Sequence, residues 1–160
     1  MTTGQQRRGR SIAMDAAELD AFLSEQRTCR VATIGRDGAP HVSPVWFVWH
    51  GGALWIYSLT RSQRWTDLQR DPRVAVVADD GHHYGELRGA EFEGAAQPVG
   101  PVPRTGDEQA PAELAEPERR MAAKYFGLPE MLHDGRHGWL KVTPGKITSW
   151  DFRKIPGPTA

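Results

Sequence analysis

Residues Leu54–Arg70 read LWIYSLTRSQRWTDLQR. Trp55, Ile56 and Tyr57 begin it as a strand. The run then turns to hydroxyl and guanidinium groups, Ser58, Thr60, Arg61, Ser62 and Arg64, before the first acid at Asp67. The spacing Thr60-x-x-Gln63 is that of a capping box and predicts a helix beginning near Arg61, which Pro72 stops. The stretch is therefore a strand-to-helix junction. A helix N-terminus carries unpaired N–H groups and partial positive charge. Here Thr60 and Ser62 add hydroxyl donors, and Arg61 and Arg64 add fixed charge able to hold a phosphate at two points. The plainer alternative is a pair of solvated arginines with Thr60 as a simple cap.

The chain on either side predicts a β-rich fold. Upstream, DAAELDAFL opens a helix, with Asp15 and Glu18 at capping-box spacing and an apolar face of Leu19, Phe22 and Leu23. CRVATIG, HVSPVWFVW and ALWIYSL then read as strands joined by turns at Asp37-Gly38 and His50-Gly51-Gly52. Downstream, RVAVVAD is a strand, and YGELRGAEFEGAAQPV is another whose Gly89 and Gly94 mark bends. Residues 100–118 form a Pro- and acid-rich loop, and PERRMAAKYFG a helix with Pro117 in its first turn and Gly127 at its end. HGWLKVTPGKITSWDF is expected to be a hairpin turning at Pro144-Gly145. Several strands are apolar on both faces, so both faces are expected to be covered; a small barrel packed on a partner subunit does this.

The totals bound the possibilities. A chain of 160 residues favours one domain, read as a core of 14–155 with a flexible arm, 1–13, and a tail, 156–160. Lysine plus arginine balance aspartate plus glutamate at 20 each, so no global field points to nucleic acid and any anion site is local. The single cysteine, Cys29, allows no internal disulfide and fits a reducing, cytoplasmic setting. No apolar run approaches the ~20 residues of a membrane span.

Other constellations are weaker. Ser43-Pro44 interrupts the second strand, so His41, Val42, Ser43, Pro44 and Val45 offer backbone that a planar ligand could approach; a protected edge strand is the alternative. Trp46 and Trp49, among many aromatics, could stack on a flat ring or belong to the core. His82-His83 and His133-x-x-x-His137 raise the question of metal. Gly135 and Gly138 argue against the helix that would align the second pair, so no metal site is nominated. Cys29 has no evident base and reads as a packed thiol.

The order of these pieces is their most specific property. Helix, RVATIGRDGAPHVSPVWFVWHGGALWIYSLTRSQRWTDLQRDPRVAVVADD, then ELRGAEFEGAAQPV resembles the pyridoxamine 5′-phosphate oxidase-like superfamily over about residues 15–155. More narrowly it resembles the branch that uses the deazaflavin coenzyme F420. The resemblance implies a mainly β (α+β) fold, a six- to seven-stranded antiparallel split β-barrel with a few short peripheral helices. It also implies a homodimer with cofactor sites at the interface. In the family the cofactor phosphate lies at the strand-to-helix junction, here Ser58, Leu59, Thr60 and Arg64, with Arg64 in the place of the phosphate-binding basic residue. His41–Val45 match the strand that lines the ring. Arg61, Arg70, Arg73 and the arginines of the N-terminal arm could meet the acidic tail that distinguishes F420 from flavin mononucleotide (FMN), the alternative cofactor. The implied activity is hydride transfer between reduced F420 and a small organic substrate, with Trp46 and Trp49 shaping the substrate pocket. An FMN-dependent reductase or oxidase of the same fold, or a non-catalytic cofactor carrier, are the alternatives. No catalytic residue is assigned; His41, Tyr57 or water could supply a proton.

Overall fold

A computed structural model describes Gln6 and residues 9–157. The arm expected over 1–13 therefore falls partly outside the described residues, as does the end of the tail. Within the described part, Arg10–Ile12 makes one 3₁₀ turn, and the Gln6 side chain bonds both backbone groups of Ser149.

Helix α1 (Ala16–Glu25) opens with the expected reciprocal box. The Asp15 carboxylate accepts from the Glu18 N–H, and the Glu18 carboxylate accepts from the Asp15 N–H. Strands β1 (Cys29–Ile34), β2 (Pro40–Val45), β3 (Val48–His50) and β4 (Ala53–Leu59) follow. After helix α2 (Gln63–Arg70) come β5 (Arg73–Asp80), β6 (Arg88–Val99), helix α3 (Ala115–Met121) and β7 (His137–Asp151). All pairings are antiparallel, in the order β2-β1-β5-β6-β7-β4-β3.

That order dictates the shape. The two edges, β2 and β3, are adjacent in sequence and separated only by Trp46 and Phe47. Three peptide steps reach about 11 Å at most, so the sheet must curl until its edges nearly meet. They do not pair, and the result is a seven-stranded split barrel. Phe22 and Leu23 of α1 and Leu68 of α2 plug an interior lined by Val31, Leu54, Ile56, Val76, Phe92, Leu140 and Val142.

Four expectations are corrected. HVSPVWFVW is two strands, because the backbone of Phe47 leaves the ladder: its N–H and carbonyl both bond the Tyr125 hydroxyl. Pro144-Gly145 is no hairpin turn; β7 runs straight through it. Opposite Gly94 the register shifts, Glu93 pairing with Lys146 and Gly94 with Pro144, so Gly145 is the extra residue of a bulge that absorbs the missing proline N–H. Strands apolar on both faces do not by themselves require a partner. Residues 112–126 of this chain cover the outside of β3, β4 and β7, burying Val48, Trp55 and Trp139 against Leu114 and Met121 in a second core. α3 begins at Ala115, earlier than read, and gives way to a π-helical turn over Ala122–Phe126 that ends at Gly127.

A polar clamp fastens this cover. Arg104 is buried and binds both Glu118 and Glu108, and Glu118 also accepts from the Trp139 indole at 3.1 Å. His133 lies between Glu118, at 3.6 Å, and the Tyr57 hydroxyl, at 3.5 Å. His137 stacks on Tyr57 and bonds Asp134 at 2.6 Å.

Two outcomes follow from these contacts. A Cβ at Gly94 would lie 2.1 Å from the Thr143 carbonyl oxygen, a backbone atom that cannot swing aside. Gly94→Ala is expected to lower the unfolding free energy by about 1–3 kcal/mol; an unchanged urea midpoint would refute the bulge contact. Burial holds the His133 pKa below its ordinary 6.5, against the pull of Glu118. The folded state then binds fewer protons than the unfolded chain, so this contribution is present above pH 6.5 and lost as pH falls through the lowered value. Urea midpoints measured from pH 7.5 to 5 should drop more steeply for the wild type than for His133→Asn.

Candidate functional site: a buried guanidinium at the barrel mouth

Ser43 and Ser58 come from opposite sides of the seam, and α2 brings Arg64 between them. Side chains alternate along β2, so His41, Ser43 and Val45 face inward opposite Thr33, Val31 and Cys29, which are buried on β1. Val42 and Pro44 face outward, Val42 with 65% of its surface exposed. On β4, Ser58 points inward and is buried, while Leu59 is exposed.

Helix α2 starts two residues later than the capping-box spacing suggested. Its N-cap is Ser62, whose hydroxyl accepts from the Trp65 N–H at 3.1 Å. Thr60 is not the cap, because its N–H and hydroxyl both donate to the Arg136 carbonyl. The helix then turns Arg64, Trp65, Asp67 and Leu68 inward. Trp65 seats against Gly138, where a Cβ would meet the indole at 2.8 Å, so the absent side chain lets α2 lie close to β7.

Arg64 is 8% exposed. Its Nη1 donates to Ser43 Oγ at 2.7 Å, and its Nε and Nη2 donate to Ser58 Oγ at 3.2 and 2.9 Å. Ser58 Oγ lies 3.4 Å from Ser62 Oγ, giving a run of hydroxyls around the guanidinium. Among the described residues no carboxylate pairs with it. Asp67, one turn along the helix, is taken by Thr33, Gln63 and Arg70. Burial pulls the Arg64 pKa below its usual value, yet a guanidinium remains charged at neutral pH. Burying such a charge is costly unless an opposite charge meets it. Close by on the inward face of β2, His41 Nδ1 is buried with no hydrogen-bond partner, the one such side-chain atom among the described residues. Two polar groups in need of partners on one concave face, ringed by hydroxyls, are suited to an oxyanion such as a phosphate ester.

Of the expected residues, Ser43, Ser58 and Arg64 meet directly, and His41 and Val45 share the inward face. Leu59 and Arg61 are exposed at the mouth; no ion pair holds Arg61 among the described residues. Arg70 is engaged by Asp67 and the Ile34 carbonyl, and Arg73 by Asp71, so neither stands free for an acidic tail. The two tryptophans part company. Trp46 is 47% exposed, stacked on Tyr125 at 4.5 Å and edge-on to Phe126. Trp49 is core: it packs on Phe92, and its indole N–H donates to Asp20 at 2.6 Å. Tyr57 points away from Ser58 into the polar clamp, where burial pushes its pKa up to about 12. Arg136, whose carbonyl anchors Thr60 and whose exposed guanidinium lies 3.7 Å from Asp134, gave no signal in the sequence. Its place follows from the pairing of Leu59 with His137.

Comparison with known proteins agrees with this architecture. The family model described as pyridoxamine 5′-phosphate oxidase matches residues 16–151. The solved structure of the conserved hypothetical protein Rv2991 from Mycobacterium tuberculosis is 30% identical, with a TM-score of 0.75, 97% of this chain and 96% of that chain covered. The FAD binding protein from Mycobacterium smegmatis is similar at 23% identity and TM-score 0.63, covering 88% of this chain and 98% of that one. A structure named F420 Reductase is similar at 23% identity and TM-score 0.59, covering 81% and 94%. No protein of curated function matches at the sequence level. The curled antiparallel barrel, the order of its strands and the match over 16–151 together make this chain a member of the pyridoxamine 5′-phosphate oxidase family.

Proposed function

We propose that the protein is an oxidoreductase that uses a phosphate-bearing flavin-type cofactor, F420, to exchange a hydride with a small organic substrate. The observation that carries this reading is Arg64: a buried guanidinium, fixed by Ser43 and Ser58, with no carboxylate beside it among the described residues. Arg64, Ser58 and Ser43 would hold the phosphate, and the inward face of β2 from His41 to Val45 would line the ring. When bound, reduced deazaflavin supplies a hydride from that ring. The chain's own task is to fix the phosphate, present one ring face and orient a substrate carrying an activated double bond.

F420 is favoured over FMN by the charge left free at the mouth. Arg61, next to Thr60, is exposed and in no ion pair among the described residues, suited to an acidic tail leaving the phosphate site; Arg136 is exposed but lies 3.7 Å from the Asp134 carboxylate. Fewer arginines serve this purpose than the sequence suggested, since Arg70 and Arg73 are tied down. Trp46, held flat by Tyr125, is the aromatic surface that remains for a substrate; Trp49 does not share that role. Tyr57 is a poor acid with its pKa near 12 and its hydroxyl turned toward His133, which leaves proton supply to His41 or water. The homodimer in this reading draws support from β2, an unpaired edge whose outward Val42 and neighbouring Trp46 are exposed apolar surface. No helix among the described residues is long and apolar enough to cross a membrane.

A paired spectroscopic titration with F420 and FMN tests the reading. F420 should bind more tightly, and Arg64→Ala should weaken it by about 10- to 100-fold, the scale of lost charge-assisted hydrogen bonds of about 1.5–3 kcal/mol. Equal F420 affinity in the variant would remove the phosphate role. Tighter binding of FMN, or tight F420 binding with no turnover over a panel of enones and quinones, would replace it with the FMN-dependent or the carrier reading.

A further inference from the structure

A second basic constellation lies on the cover of the barrel, formed by residues that play no part in the Arg64 site. Arg119, Arg120 and Lys124 line a cavity of about 400 Å³ together with Ser24, Val48, Trp49 and Ala123. Arg27 joins the same corner, donating to the Lys124 carbonyl at 3.3 Å and lying over the Tyr125 ring. Four cations thus gather where a single carboxylate, Glu116, is bonded to them. It serves both arginines, Arg119 through Nε and Nη2 and Arg120 through Nε. The Asp20 carboxylate is turned to the Trp49 indole N–H.

Spare donors remain after these bonds. Arg119 Nη1 has no partner among the described residues. Arg120 gives Nη1 to the Trp49 carbonyl at 3.1 Å and keeps Nη2. Lys124 Nζ donates to the carbonyls of Phe47 at 3.1 Å and Leu23 at 3.5 Å, and sits 4.3 Å from the Phe47 ring centroid. Its ammonium has three donors, so one is left. Arg120 and Lys124 both line the cavity. Burial pushes the Lys124 pKa down to about 8, with Arg27 adding to the effect. A bound anion would reverse that shift.

We infer that Lys124, Arg120 and Arg119 form a second anion site, taking a small phosphate monoester in this cavity. The basic groups supply multivalent contact to a dianion, and the exposed Ala123 leaves room beside them for a small ester group. The site is independent of the cofactor reading, because none of its residues touches Arg64, Ser43 or Ser58.

Phenyl phosphate is the probe, measured by calorimetry at low salt in an Arg64→Ala background, which removes the guanidinium of the first site. Saturable binding should persist there, and Lys124→Met or Arg120→Gln should weaken it tenfold or more. Arg120 is substantially exposed, so the second variant keeps its fold even if loss of Lys124 loosens the carbonyls it holds. Saturating probe should also raise the Lys124 titration midpoint, followed by the ¹³C resonance of reductively methylated protein. The inference is overturned if phenyl phosphate fails to saturate the Arg64→Ala protein, if Arg120→Gln binds as the parent does, or if phenol binds as well as phenyl phosphate. Failure of F420 to bind the wild type would leave these outcomes unaffected.

Discussion

Two residues, Trp46 and Phe47, separate the edge strands of a seven-stranded sheet, and that short tether sets the architecture. A flat sheet with this strand order would place its edges many strand spacings apart. The chain cannot span that distance in three steps, so the sheet closes on itself and leaves a seam. Closure creates an interior that α1 and α2 fill, and it brings Ser43 of one edge strand within reach of an arginine that also bonds Ser58 from the other side. The link itself is held by Tyr125, whose hydroxyl serves both backbone groups of Phe47, and by Lys124 on the Phe47 carbonyl. The cover segment thus secures the corner on which closure depends.

The distribution of charge follows from the same closure. Acidic and basic residues are equal in number, and several ion pairs among the described residues are local: Arg73 with Asp71, Arg119 and Arg120 with Glu116. Such exposed pairs contribute little to stability. Arg104 differs, being buried and matched by two glutamates in the clamp. Arg64 differs again, buried and met only by neutral hydroxyls. Folding leaves that positive charge at the barrel mouth, and its functional value lies in what it can attract.

The fold was legible because its signals are local. The Asp15–Glu18 box, the Asp37-Gly38 turn, the β-branched run in RVAVVAD and the stop at Pro72 each depend on residues close in sequence. The misreadings share a cause, which is that distant groups outbid local ones. Thr60 has the right spacing for a cap, but the Arg136 carbonyl takes both its donors. Pro144-Gly145 is good turn chemistry, but β6 runs alongside with Gly94 where a bulge can form. Arg70 looks free in the sequence until the Ile34 carbonyl is brought beside it.

By itself the sequence determined the helices that plug the barrel, most of the strands, and the strand-to-helix junction where hydroxyls and arginines gather. Those are consequences of propensity, periodicity and capping, which act over a few residues. Only the tertiary structure decided which arginine is buried, that Ser43 joins Ser58 around it, that Trp46 is presented while Trp49 is core, and that the chain covers the outside of its own barrel. These depend on register and closure, which join residues far apart in sequence, and on competition for each hydrogen-bonding group among every neighbour the fold supplies.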